Sequence, residues 1–175
     1  MVIDDKPEAL SNESTLAEYA AAPDRLAAAL DGLDGEALDL SCPGSEAGDW
    51  SIRQIAHHVV DGDDLWKMPI KIALGEPPGV FTLDWYWSRP QDEWAACWGY
   101  SGRDLAPSLA LFRASRRHII QLLEHTSAPW DRALNVRWPD GGVERVTLAD
   151  IVRMQAGHAS GHIADILLIR RKRGV

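Results

Sequence analysis

Residues 148–171 read LADIVRMQAGHASGHIADILLIRR, and this stretch decides the architecture. A single line runs through Ile151, Gln155, His158, His162, Ile166 and Ile169, in steps of three or four residues that stay on one face of an α-helix. The cations Arg170, Arg171, Lys172 and Arg173 follow, where they offset the negative pole of a helix C-terminus. Two imidazoles therefore point inward, at positions where apolar side chains are expected. Their neighbours Ala156, Gly157, Ala159, Ser160 and Gly161 are small and leave room beside them.

Three upstream segments carry the same periodicity. The first covers about 14–33, with Leu16, Tyr19, Leu26, Ala29 and Leu30 on one face, Asn12 or Ser14 as its cap, and Pro23 as an interruption or a second start. The next begins near Ser51 and runs to Gly75-Glu76-Pro77-Pro78, with a kink expected at Pro69. The third covers about 102–124, through Leu105, Leu109, Phe112, Ile119, Leu122 and Leu123. Four amphipathic helices with long connections predict an all-α, antiparallel four-helix bundle. A long aromatic loop with Phe81, Trp85, Tyr86, Trp87, Trp94 and Trp98 separates helices two and three, and its length marks it as a lid or a packed functional segment. Between helices three and four, Asp140-Gly141-Gly142 joins two alternating runs, a small β-hairpin.

The composition sets limits on function. A length of 175 residues predicts one domain spanning 1–175. With 46% hydrophobic and 25% charged residues, the chain reads as a folded globular protein. No apolar run reaches the ~20 residues of a membrane span, and the acidic start MVIDDKPEAL lacks a secretion pattern, so a cytoplasmic protein without a membrane partner is expected. Residues 1–50 carry a net charge of −10 and the remainder +2, with no basic face suited to nucleic acid. Cys42 and Cys97 match no paired motif and read as reduced thiols, and nothing basic lies close to Cys97 in sequence. No GxSxG elbow, GxGxxG or Walker loop is present.

Chemistry then rests on histidines. An unsatisfied buried polar group costs about 1–3 kcal/mol, so His158 and His162 need hydrogen-bond partners or a metal. In helix two, Ile52, Ile55, Val59 and Gly62 mark the buried side; His58 falls beside it, and His57 points about 100° away. Three neutral imidazoles from two helices suit Zn, Ni or Fe with a coordination position left open, a pattern of catalytic rather than structural sites. Hydrogen-bonded core or surface histidines are the alternative.

The segment Trp50-Ser51-Ile52-Arg53-Gln54-Ile55-Ala56-His57-His58-Val59-Val60-Asp61 resembles the DinB-like signature W-S/T-x-x-E/Q-x-x-x-H-x-x-D, and His158-Ala159-Ser160-Gly161-His162 resembles the later H-x-x-x-H of that family. The doubled histidine is similar to the YfiT-like branch. The resemblance implies a divalent metal held by His58, His158 and His162, with His57 outside the ligand set, and commonly a homodimer. It also implies an enzyme, with thiol-dependent S-transfer to small electrophiles as the leading expectation and a low-molecular-weight thiol as cosubstrate. The alternatives are a metal-dependent hydrolase and a non-catalytic metal-binding stress or interaction module.

Asp61 and Asp165, each three residues after a histidine, are candidates to support a ligand imidazole from behind or else face solvent. Arg113, Arg116 and Arg117 offer one cation to an anionic thiol, the others forming a solvated face. Trp66 and Pro69 are expected in the core, the tryptophans generally as packing, and His118 and His125 at the surface or a helix end.

Overall fold

The computed structural model describes residues 11–75 and 79–175. The acidic N-terminal stretch and the predicted Glu76-Pro77-Pro78 helix stop lie outside the described residues. Four long helices dominate: α1 (Asn12–Leu30), α3 (Ile52–Gly75), α6 (Leu105–Glu124) and α7 (Leu148–Arg173). Their starts follow from local chemistry. Ser11 rather than Asn12 or Ser14 caps α1, accepting from the Ser14 amide. Ser51 and Gln54 cap α3 reciprocally: the Ser51 amide donates to Gln54 Oε1 at 2.9 Å and the Gln54 amide to Ser51 Oγ at 3.3 Å. Asp104 caps α6, and Thr147 with Asp150 forms a complete capping box on α7. Pro23 and Pro69 both sit inside their helices, so neither divides its segment.

Each long helix packs against two others in the cyclic order α1–α7–α3–α6. One apolar cluster includes Leu26, Ile55, Val59, Phe112, Ile163 and Ile166; a second includes Tyr19, Ile70, Ile119, Ile151 and Val152. Along the chain, α1 and α7 run from the second cluster toward the first, whereas α3 and α6 run from the first toward the second. Two helices thus point each way, with α1 beside α7 and α3 beside α6 as parallel neighbours. Successive parallel helices α3 and α6 require the chain to travel back along the bundle between them.

That return is the aromatic segment, and it is not a plain loop. It contains strand β1 (Val80–Thr82) and short helices α4 (Asp84–Trp87) and α5 (Gln91–Cys97). The expected hairpin forms from β2 (Ala133–Arg137) and β3 (Val143–Thr147), with Leu134 opposite Val146. Gly141 takes the turn at φ +85°, where a side chain would be strained. β1 joins β2 in parallel, Phe81 opposite Val136, to complete a three-stranded sheet. Leu134, Val136 and Val146 close the second apolar cluster.

Between the two clusters lies a polar layer. Arg116, 1% exposed, donates from Nε to Asp63 Oδ1 at 3.0 Å, from Nη1 to the Tyr19 carbonyl at 2.7 Å and from Nη2 to the Gln155 carbonyl at 3.0 Å. Its guanidinium also lies over Tyr19 and Phe112. The expectation that Arg116 is solvated or free to meet an anion is corrected here, since it and Asp63 are both buried. Each offsets the other's burial.

Candidate metal centre

Halfway along the bundle, α3 and α7 face each other without filling the space between them. The i, i+4 spacing of His158 and His162 places both rings on one face of α7, and α3 brings His58 to meet them. One nitrogen from each of the three lies within 4.8 Å of the others. His58 Nε2 and His158 Nε2 are 3.0 Å apart. Two nitrogens bound about 2.0–2.1 Å from a shared ion stand roughly 2.9–3.4 Å apart for right-angle to tetrahedral geometry, so the observed spacing fits. The rings are steeply inclined to one another, by 68°, 86° and 87°. All three are half-buried; the fully buried positions of this turn of α7 are Ala159 and Ile163.

The donor set is chemically prepared for a cation. His162 Nδ1 lies 3.0 Å from Asp165 Oδ2, so the carboxylate holds the proton on Nδ1 and leaves Nε2 with a free lone pair. Burial, and behind it the charge of His162, holds His58 down to about 4; burial with the same neighbour and His58 holds His158 down to about 3. Both rings are neutral near pH 7 and available as ligands. Trp50 and His58 meet at a steep angle, 5.0 Å between ring centroids, which gives the first residue of the sequence signature a physical task. Gly62 faces His158, where an added Cβ would touch Cε1 at 3.4 Å.

His57 stands apart from this group, yet it is fully buried rather than turned to a flank. Its Nδ1 is 3.0 Å from Ser108 Oγ and its Nε2 3.3 Å from the Arg103 carbonyl. The carbonyl can only accept, so Nε2 carries the proton and Nδ1 accepts from the serine hydroxyl. Both nitrogens are occupied within the fold.

Asp61 is likewise engaged elsewhere. It accepts from Arg103 Nη1 at 3.1 Å and bonds the Tyr100 hydroxyl, tying α3 to the segment before α6. The structure therefore gives Asp165 a histidine partner and gives Asp61 an arginine. Arg113 is paired with Asp24, and Arg117 and His118 line a shallow groove on the outer side of α6. His125 caps the end of α6, its Nδ1 2.9 Å from the Gln121 carbonyl. Arg89 approaches the Cys97 sulfur to 3.7 Å, so a cation does accompany this cysteine.

A cleft of about 350 Å³ opens onto the three histidines. Leu65, Trp66 and Met154 form its apolar side, and Tyr86, Trp87 and Gln91 reach over it from the aromatic segment. Trp66 packs at 5.9 Å from Trp138, but it also faces this opening, so a purely internal role for it is corrected. The remaining aromatics explain how the cover is held. Tyr86 stacks near-parallel to both Trp94 and Trp98, which also touch each other at 5.0 Å between centroids, and Tyr100 continues the series from Trp98 to His57. Packing and lining are thus shared between this group and a second one, in which Trp66 and Trp87 both pack on Trp138. The cover residues Tyr86 and Gln91 were not identifiable individually from sequence; only the density of aromatics marked their region.

These features define a four-helix bundle carrying a three-histidine centre under an aromatic cover. The chain belongs to the DinB superfamily, whose family model matches residues 18–166. A protein of Geobacillus thermodenitrificans named "putative metal-dependent hydrolase" is 27% identical over 154 residues, covering 87% of this chain and 80% of its own. A similarly named protein of Oceanobacillus iheyensis is 29% identical over 143 residues, covering 80% of this chain and 75% of its own. Among solved structures, YfiT from Bacillus subtilis matches with a TM-score of 0.74 at 22% identity, over 97% of this chain and 93% of that one. That protein is described as having an unusual four-helix bundle topology, and the likeness shows that this chain shares its fold.

Proposed function

We propose that this chain is a metal-dependent hydrolase of small molecules, with His58, His158 and His162 as the metal ligands. The convergence of one nitrogen from each of three histidines on a single cleft carries this reading. A bound divalent ion supplies Lewis acidity toward a carbonyl oxygen and acidifies water. The protein's own part is to hold the three rings in place. Asp165 orients His162 and Trp50 packs against His58. Among the described residues no carboxylate lines the cleft, which leaves the histidine centre as the source of its reactivity.

Hydrolysis is favoured over transfer from an anionic thiol because, among the described residues lining the cleft, no lysine or arginine pairs with the charged ends of such a cosubstrate. Arg116 is buried against Asp63, Arg113 is held by Asp24, and Arg103 is tied to Asp61. The names carried by relatives point the same way. The test begins with elemental analysis of protein purified without added metal or a histidine tag. Near-stoichiometric Zn, Ni or Fe, lost in both His58→Ala and His162→Ala, supports the centre. Loaded protein is then assayed on small esters and amides, and in parallel on electrophiles with a low-molecular-weight thiol. Thiol-dependent turnover with no hydrolysis would replace this reading by S-transfer, and no metal after reconstitution would leave a non-catalytic module.

A further inference from the structure

One polar group beside the histidines is left without a partner. Gln155 is 3% exposed, and its Oε1 is buried with no hydrogen-bond partner among the described residues. It precedes His158 by three residues and His162 by seven, on the same face of α7, and it lines the same cleft. Its main chain is fixed, because Arg116 donates to its carbonyl. Among the other buried polar groups, Arg116 is matched with Asp63 and His57 with Ser108 and Arg103, and Thr15 Oγ1 on α1, which does not line the cleft, is the other one without a partner among the described residues. An unpaired buried acceptor destabilises a fold, so packing alone would favour an apolar side chain at this position.

We propose that Gln155 recognises an amide group of the substrate. A carboxamide offers one acceptor and one donor group without charge, and its terminal torsion is soft enough to turn either toward the cleft. The surrounding wall of Leu65, Trp66, Trp87 and Met154 is apolar, and no lysine, arginine or carboxylate among the described residues lines it. The ligand class that matches is neutral, carries both an N–H and a C=O, and has a flat apolar body: a carboxamide on an aromatic or aliphatic group. Gln155 is thus a positioning residue, placing that group about one helical turn from His158 and two from His162. This assignment rests on the reading of the cleft as the substrate site.

The probes are benzamide and methyl benzoate, which share a ring and a carbonyl but differ in the N–H. Their binding to the full chain is measured by ligand-observed NMR, on metal-free and metal-loaded protein. The wild type is expected to bind benzamide about fivefold more tightly, the worth of one hydrogen bond. In Gln155→Met, and in Gln155→Leu should that variant fold poorly, the preference disappears, methyl benzoate binding is unchanged, and the melting temperature does not fall. A preference that survives in the folded variant, or is missing from the wild type, overturns the proposal. A Gln155-dependent preference in protein that never hydrolyses a substrate would overturn the hydrolase reading alone, and hydrolysis without that preference would overturn this one alone.

Discussion

Arg116 donates to Asp63 at 3.0 Å while both side chains are almost wholly shielded from water, 1% and 3% exposed. Through the same guanidinium, α6 is joined to α1 at Tyr19, to α3 at Asp63 and to α7 at Gln155. Removing one member of a buried pair strands the other charge, so Arg116→Met should cost about 3–5 kcal/mol in urea unfolding. The double variant Arg116→Met/Asp63→Leu should be more stable than Arg116→Met alone, because no isolated carboxylate remains. A cost below about 1 kcal/mol for Arg116→Met would show that the layer does not hold the helices together.

Asp165 and Asp61 stand at equivalent sequence offsets from a histidine but have different partners. Asp165→Asn should weaken metal affinity about 10–100-fold, because His162 loses the carboxylate that fixes its tautomer. Asp61→Asn should leave affinity unchanged while loosening the Arg103 and Tyr100 contacts. Competitive titration with a chromogenic chelator measures both, and equal effects would refute the distinction.

His57 is adjacent to a proposed ligand yet fully engaged in the fold. His57→Ala removes a buried ring and leaves the Ser108 hydroxyl proton without its acceptor and the Arg103 carbonyl without its ring donor, and is expected to cost about 2–4 kcal/mol with metal stoichiometry intact. Loss of metal from a still-folded His57→Ala protein would move this residue into the centre.

Acid should destabilise the metal-free protein in a defined window. Burial depresses His58 to about 4 and His158 to about 3 from an ordinary 6.5, and lowers His57 as well. Between those values the unfolded chain binds more protons than the folded one, so stability is fully present above pH 6.5 and is lost as pH falls through the folded values. Each histidine contributes up to about 1.4 kcal/mol per pH unit. Melting temperatures of chelator-treated protein should therefore decline from pH 6.5 downward, and added divalent metal should shift the decline to lower pH. A flat profile from pH 6.5 to about 4.5 would contradict the burial of neutral rings.

Sequence reading succeeded where the cause is local. Periodicity and capping residues lie within a few positions of one another, so α3, α6 and α7 and the hairpin around Gly141 were legible, with ends displaced by one to three residues. The i, i+4 pair on α7 was legible for the same reason. β1 was not, because its three residues are ordered by pairing with β2, more than fifty positions away.

By itself, then, the sequence determined four amphipathic helices, two inward histidines on the last of them, and a third on the helix that carries the Trp50 signature. Tertiary structure alone decided that α1 and α7 lie parallel, that the tryptophan-rich segment runs back along the bundle to cover the histidines, and that Asp63 is buried with Arg116 while Asp61 is not. Those outcomes depend on pairs 42 to 141 residues apart, such as Arg103 with Asp61, His158 with His58 and Arg170 with Ala29. A helix period states which face of a helix is buried; which charge or ring waits on the opposite face is settled only when separate helices are brought together to share one core.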